Sequence, residues 1–527
     1  MMQVFNSKFG ALAFTCFSLL FLKAVAPLGY IRYREIALFL AIFLFCYIVT
    51  SKFRCRAAVF LALAITLLFS LSDLIAQRLG GWYFHDVPLE FISIVLATNW
   101  DEIRNTCHFV FREYAIFSLI ILNVILFFLV HKAESTGNSS FKSTASHVIL
   151  MGGVIILFIS VFPPARKTVC SLVDAVPVIE ATGDRILARK SFTWGATDVG
   201  EPERTVVVFL GETHRGDKMS INGYLRETTP LLATQNLVTF RNTVSQATST
   251  LSSTPMILSR KTVYDRGIYP EKSVIAAFRE VGFETWYVSY LQPAHIGDTE
   301  INLIANDAEH YVVSSVNIQT LEKILSASAK KKLIVYKTVG AHYLFHTRYP
   351  KDFEYFKPSH TSVSYKVPKP VPEDIRLLEN SYDNAVRYSL DYQVNAFINV
   401  LKKRKEPVLF CFIADHGTAI YEDGKSLYGG STRPNYSIGY FFWFNPAYER
   451  GHHQDIAFLK SNTRKAISSE IFVDTILDLS DIRTPKRKGK TLVVKDYVET
   501  PRSVLAGGKV VDYDSLPPKN HSDTCAK

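Results

Sequence analysis

Two short apolar runs more than 200 residues apart constrain the fold of this chain more than any other feature: 205–210, Thr-Val-Val-Val-Phe-Leu, and 408–413, Val-Leu-Phe-Cys-Phe-Ile. Both are β-branched or aromatic and almost free of polar residues, which is the composition of strands buried on both faces of a parallel sheet. Each is followed within two residues by a carboxylate, Glu212 after the first and Asp415, with His416, after the second. A third run, 333–336, leads into Gly340-Ala341-His342. Ligands of open α/β sheets bind outside the carboxyl ends of the strands, so three strand ends are predicted to deliver polar side chains to one rim. The segment Thr248-Ser249-Thr250, ahead of Pro255, adds hydroxyls. Two carboxylates, a hydroxyl and an imidazole make up the donor set of one zinc ion whose fourth partner can also be a nucleophile. Any one of these residues alone reads as a solvated loop position; three strand-end placements together favour a site.

Composition divides the 527 residues near residue 164. Before that point lie five apolar stretches, 11–29, 36–50, 57–74, 114–130 and 147–162, several near the lower length for a helix that crosses a bilayer core of ~30 Å. Residues 1–164 are therefore expected to be a transmembrane domain of about five spans. Ala24-Val25-Ala26 resembles a signal-peptide cleavage site, but Pro27 directly after it is a poor position for cutting, and the first span is kept. Lys52, Arg54 and Arg56 lie between the second and third spans, and Lys132 and Lys142 between the fourth and fifth. Basic short loops face the cytoplasm, which places the large following domain on the outer side.

Residues 165–204 read as a linker lying along the membrane surface, 205–500 as one αβ catalytic domain, and 501–527 as a loose tail. Among the cysteines, only Cys107, Cys170 and Cys525 are placed to meet in an oxidising space, room for one disulfide and not for a framework. The net charge of +11 comes without a basic stripe interleaved with aromatics or any nucleic-acid motif, so attraction to anionic lipid is the expected benefit and no nucleic-acid partner is expected.

The residues carry a resemblance. The stretch from Val207 through Gly211-Glu212-Thr213-His214-Arg215, then Asn222-Gly-Tyr-Leu-Arg-Glu-Thr-Thr-Pro230, resembles the opening of the catalytic domain of bacterial lipid A and lipopolysaccharide-core phosphoethanolamine transferases. The similarity continues through Thr248-Ser-Thr250 with Pro255, Gly340-Ala-His342 with Arg348-Tyr349, Tyr382-Asp-Asn384, Ala414-Asp-His-Gly417 and Tyr440-Phe-Phe-Trp443. It covers 205–446 in order, and the five-span layout is also similar. The resemblance implies a five-helix transmembrane bundle followed by a sulfatase-like (alkaline phosphatase-like) α/β domain with a mostly parallel central sheet, in a Gram-negative inner membrane with the catalytic domain in the periplasm. Glu212, Thr250, Asp415 and His416 would hold one zinc ion, Thr250 also being the nucleophile that becomes modified, whereas Thr213 matches a position that is not the nucleophile. His342 would lie near the donor phosphate or a second zinc and serve as an acid for the leaving oxygen. Thr98, Asn99 and Glu102 resemble a substrate-side loop. The implied donor is phosphatidylethanolamine, the acceptor a lipopolysaccharide or other periplasmic glycan, and the enzyme a monomer in contact with membrane lipid.

Thr250 ahead of 251–258 predicts a helix with Pro255 near its first turn, whose free amides would meet phosphoryl oxygens. There are departures from the family. Ser426-Leu-Tyr428-Gly-Gly430 stands where a Tyr-Leu-His-Gly run is common, so a histidine that would serve a second metal or the acceptor is missing. Thr418 occupies a usual Glu position while Glu422 remains, and the family's several disulfides cannot form. The alternatives are a glycerol-phosphate transferase, a sulfatase or phosphodiesterase, and a non-catalytic membrane sensor. The Asn222–Pro230 segment weighs against the first, the absence of a Cys/Ser-x-Pro-x-Arg context against the second, and the complete ligand set against the third.

Overall fold

The 205–210 run forms the centre of β1 (Arg204–Gly211) and the 408–413 run the centre of β6 (Val408–Ala414); every residue of both strands is buried. In the computed structural model the described residues are 185, 187–290, 300–363, 366, 368–428, 430–485 and 490–517. The five expected spans, the 98–102 loop and Cys107, Cys170 and Cys525 lie outside them. Among the described residues no helix is long and apolar enough to cross a membrane.

Five further strands complete the main sheet: β2 (Leu237–Thr239), β3 (Glu284–Ser289), β4 (His310–Val313), β5 (Lys331–Lys337) and β7 (Tyr440–Phe444). Their order is β2-β7-β6-β1-β5-β3-β4. From β6 to β4 all neighbours run parallel, while β7 is antiparallel to both β6 and β2. The sheet is thus mixed, with a parallel centre, as the uninterrupted apolar runs require. Burial on both faces follows from helices laid against it. Phe209 of β1 and Tyr336 of β5 meet Phe397 edge-on, at centroid distances of 5.5 and 4.9 Å. Phe397 belongs to α5 (Gln393–Leu401), which follows α1 (Thr250–Leu258), α2 (Val274–Glu280), α3 (Ile318–Leu325) and α4 (Pro372–Val386) along the chain.

Between α4 and α5 the chain passes through a π-helical turn, Arg387–Tyr392. Such turns insert one residue into the helical ladder and re-aim side chains. Here the turn places Ser389 against the buried ring of His214, Oγ to Nε2 at 2.8 Å, and turns the Asp391 carboxylate towards the Leu231 and Leu232 amides at 3.1 and 2.8 Å.

Two expected boundaries differ from the structure. The described part of 165–204 packs on the catalytic domain: Trp194 is 4% exposed and its indole donates to the Ser273 carbonyl at 3.0 Å, and Thr197–Asp198 pairs with Ile482–Arg483. Its apolar surface finds protein to cover it. Residues 503–512 are not loose either. They form the hairpin β8 (Ser503–Ala506) and β9 (Lys509–Asp512), turned by Gly507 and Gly508 at φ 55° and 76°, with Val504 buried against Val244 and Tyr436. Two apolar runs separated by Gly-Gly are a hairpin signal, and the general polarity of the tail masked it.

The Tyr382-Asp-Asn384 motif lies on α4, beneath the site. The Asp383 carboxylate accepts from Arg226 at 2.7 Å and from the Tyr224 hydroxyl at 3.0 Å. Burial nevertheless outweighs Lys218 and Arg226 and raises its pKa to about 6. Because this exceeds the unfolded value, the folded state binds more protons between the two, so the contribution of Asp383 to stability is greatest below about pH 4 and falls as pH rises to about 6. Relative to Asp383→Asn, the native domain is expected to lose on the order of 2–3 kcal/mol across that interval. Urea unfolding of both proteins at pH 4 and pH 7 measures it, and a constant difference between them would contradict the assignment.

Candidate metal centre

Strand register assembles the site. Gly211 pairs with Ala414, so the next residues, Glu212 and Asp415, leave neighbouring strands side by side, and the Asp415 amide donates to the Gly211 carbonyl at 2.9 Å. On the other flank of β1, Leu210 pairs with Lys337, the last residue of β5. α1 presents Thr250 from its first position, after Ser249 in extended conformation. The helix starts one residue earlier than expected, so Pro255 falls in its second turn, not its first. There it deprives the Leu251 carbonyl of its helical donor.

The four residues converge. Ligand atoms of Glu212, Asp415 and His416, all buried, lie within 4.8 Å of one another. Thr250 Oγ1 is 3.1 and 3.3 Å from the Glu212 carboxylate oxygens and 3.4 Å from His416 Nε2. His416 Nε2 lies 3.4 Å from Glu212 Oε1 and 3.9 Å from Asp415 Oδ2. Zinc bonds of about 2.0–2.1 Å in a tetrahedron imply donor-to-donor edges of about 3.3 Å, so this set fits a zinc ion. The histidine is also presented in the right form: Nδ1 is 2.7 Å from the Gly417 carbonyl, which makes it the donor and leaves the Nε2 lone pair facing the carboxylates. Thr250 keeps part of its surface exposed, as a nucleophile must.

Backbone and neighbours hold the ligands. Thr213 adopts φ 62°, a left-handed conformation that costs a threonine about 1–2 kcal/mol, and three contacts keep it there. Its hydroxyl donates to Glu212 Oε1 at 2.7 Å and its amide to Asp415 Oδ1 at 3.0 Å. Its carbonyl accepts from the Tyr382 hydroxyl at 2.8 Å, which in turn accepts from the Arg215 amide at 2.9 Å. Thr213 therefore orients ligands, consistent with a position that is not the nucleophile. Glu422 pairs with the fully buried Arg215, which also grips Asp217 at 2.8 and 2.9 Å and the Thr418 carbonyl at 3.0 Å. It stands apart from the coordinating group.

Gly340, at φ 43°, lets the chain after β5 close over this loop, and the next amide, that of Ala341, donates to the Glu212 carbonyl at 2.9 Å. A Cβ at Gly340 would lie 2.4 Å from that carbonyl oxygen and 2.6 Å from the His214 ring. Gly340→Ala is thus expected to displace Glu212 and lower zinc content several-fold in a domain that still folds. Metal analysis alongside circular dichroism checks this, and full occupancy would refute it.

Lys337 was not singled out in the sequence. Its Nζ lies 2.6 Å from Glu212 Oε2 and 2.8 Å from Asp415 Oδ2, with the side chain 6% exposed. Burial alone would lower the lysine pKa, but Asp415 and Glu212 outweigh it and drive it upward. In return, burial that would raise the Glu212 pKa is overcome by Lys337 and His416, which bring it down to about 2. A signal was present: Lys337 directly ends an apolar run, and it lies at the level of Leu210 and Ile413, one residue before the Gly211–Ala414 pair.

His342 is not part of the coordinating group. Its Nε2 and the Tyr428 hydroxyl share a hydrogen bond at 2.6 Å, and the rings meet at 5.1 Å. Tyr428 makes this contact from a left-handed backbone, at φ 55°. Burial, then the positive charge of Arg348, hold the His342 pKa down to about 3, so its imidazole is neutral at working pH.

The sulfatase family profile matches residues 204–482, just over half of the chain. Phosphoethanolamine transferase EptA of Salmonella typhimurium is 26% identical over 304 residues, 54% of this chain and 54% of the relative. The Kdo(2)-lipid A phosphoethanolamine 7''-transferase of Escherichia coli is 30% identical over 248 residues, 44% and 42% of the two chains. The chain thus spans about half the length of the curated relatives it matches. Among solved structures, the zinc complex of the C-terminal periplasmic domain of EcEptC from Escherichia coli superposes with a TM-score of 0.53 at 23% identity, over 61% of this chain and 96% of the other. The integral membrane lipooligosaccharide phosphoethanolamine transferase A from Neisseria meningitidis gives 0.55 at 18% identity, over 90% and 95%. These two likenesses speak to the fold. The profile match over more than half the chain makes it a member of the sulfatase family, and the buried acidic group lies at the carboxyl ends of its parallel strands.

Proposed function

We propose that this protein is a membrane-anchored, zinc-dependent phosphoethanolamine transferase that moves the head group of phosphatidylethanolamine, through a covalent Thr250 intermediate, to a lipopolysaccharide or other periplasmic glycan. The observation that carries the reading is the Thr250 hydroxyl, 3.1–3.4 Å from Glu212 and His416, beside the buried Glu212–Asp415–His416 group. It is supported by the names of the relatives, EptA and Kdo(2)-lipid A phosphoethanolamine 7''-transferase, and by a solved zinc complex of the same fold. The apolar stretches between 11 and 162 supply the anchor. Anchoring is physically useful because donor and acceptor are lipids confined to one bilayer.

Zinc, when bound, supplies positive charge that favours the alkoxide of the nucleophile and offsets charge on phosphoryl oxygens. Thr250 Oγ1 attacks phosphorus, its bond to the diacylglycerol oxygen breaks, and diacylglycerol leaves with a proton. The threonine proton, directed at Glu212 in this structure, is released. Ser252 and Ser253 amides donate to the Ser249 carbonyl, whereas the preceding amides of Thr250 and Leu251 have no helical acceptor and would meet the phosphoryl oxygens. In the second half-reaction the acceptor oxygen attacks the same phosphorus and frees Thr250. Neutral His342, held by Tyr428, would offer polar contact to the head group, and Thr98, Asn99 and Glu102 would line the substrate path. A second zinc is not part of this scheme, because Tyr428 takes up His342. A sulfate-ester hydrolase is disfavoured because Thr250 heads α1 without a Cys/Ser-x-Pro-x-Arg context.

Mass spectrometry of lipopolysaccharide from cells with the protein, without it and with Thr250→Ala tests the reading. An added phosphoethanolamine is expected in the first case alone. Identical glycolipids in all three would remove the lipopolysaccharide acceptor.

A further inference from the structure

The two buried carboxylates of the metal centre already have a cation. Asp415 Oδ1 is occupied by the Thr213 and His416 amides at 3.0 and 2.7 Å, so Oδ2 is the oxygen left for a metal, and it is the one that accepts from Lys337 at 2.8 Å. Glu212 Oε2, 3.1 Å from Thr250 Oγ1, accepts from Lys337 at 2.6 Å, while Oε1, which accepts from the Thr213 hydroxyl at 2.7 Å, faces His416 Nε2 at 3.4 Å. Ammonium and metal ion therefore share Asp415 Oδ2 and the Glu212 carboxylate. Carboxylates that are 3% and 0% exposed are costly unless paired, and the lysine is the pairing group that the chain itself provides.

We propose that Lys337 is a resident countercharge: it holds Glu212 and Asp415 in ligand geometry before a cation arrives, and by sharing their oxygens it weakens the grip on the ion that then binds. Two consequences follow from charge alone. The domain folds with a formed site in the absence of metal. Removing the lysine charge destabilises the metal-free state more than the loaded one, because the ion then takes over as sole countercharge, and affinity rises. A lysine that served only as a scaffold would have the opposite effect, since losing it would disorder the ligands and weaken binding.

The inference rests on the zinc reading above, and the test separates the two. The full-length protein in detergent is stripped with chelator and titrated with zinc alone against a competing chromophoric chelator, for the wild type, Lys337→Met, Lys337→Arg and Asp415→Asn. Lys337→Met is expected to lower the apparent zinc Kd by about tenfold or more and to show a larger rise in Tm on zinc addition than the wild type, by about 5 °C or more. Lys337→Arg, which keeps the charge, is expected to stay within a few-fold of the wild type. Unchanged or weaker binding by Lys337→Met, while Asp415→Asn loses zinc, overturns the countercharge role and leaves the metal site standing. Zinc retained by Asp415→Asn overturns the metal reading itself. If Lys337→Met is recovered folded only when zinc is present, the proposal is supported; if it cannot be recovered even with zinc, while Lys337→Arg can, the lysine is a scaffold and the proposal fails.

Discussion

Thr250→Ala is expected to abolish head-group transfer, a loss of at least about 10³-fold, and with it any covalent adduct on the protein. The residue sits at the first position of α1 with part of its surface exposed, and alanine is a good helix former, so folding should be preserved. What disappears is the one hydroxyl among the described residues that lies within 3.1–3.4 Å of both Glu212 and His416. Neighbouring hydroxyls offer no substitute in this geometry: that of Thr213 is committed to Glu212 Oε1, and Ser249 and Ser252 Oγ atoms bond each other at 3.3 Å. Intact-mass measurement after incubation with phosphatidylethanolamine gives the direct readout. An adduct that persists on the alanine variant takes the nucleophile role away from Thr250. Thr250→Ser keeps an oxygen and should retain measurable transfer.

Glu212→Gln and Asp415→Asn are expected to act on metal and fold together. Each removes a ligand charge and leaves Lys337, 6% exposed, with a single carboxylate partner. Zinc occupancy should fall by at least about tenfold, because two anionic donors become one. Breaking half of a buried ion pair costs about 3–5 kcal/mol, so the unfolding midpoint should fall even in chelator. The asparagine is doubly compromised, since one amide group cannot accept from two backbone amides and also replace the charge opposite the lysine. Elemental analysis and denaturant melts, run with and without chelator, measure the two effects separately. Full zinc content in both variants would contradict the ligand assignment, whatever happens to stability.

The parts of this protein legible in its sequence are those decided locally. Uninterrupted β-branched and aromatic runs identified β1, β5 and β6, because only residues with no solvated face can be apolar at every position. Glu212, Thr250, Asp415 and His416 were legible because each lies directly at an element end, where the chain turns and a polar side chain is cheap to place. The Gly507-Gly508 hairpin was equally legible, and was passed over because composition was weighed ahead of pattern. Trp194 was not, since nothing near it in the chain announces the helix surface it covers.

Tertiary structure alone decided the electrostatics. A lysine ending an apolar strand is an ordinary edge residue until the register sets Leu210 opposite it and brings two carboxylates within 2.8 Å of its nitrogen. His342 reads as a usable acid until burial and Arg348 strip it of its charge and Tyr428 takes its Nε2. The amino-acid order by itself thus determined three strands of the parallel centre, the Glu212, Asp415 and His416 side chains that follow two of them, and Thr250 at the head of a helix. Which charges those side chains carry and oppose depended on the packed sheet, because Coulomb energies follow separation and burial in space, and neither is a property of neighbours along the chain.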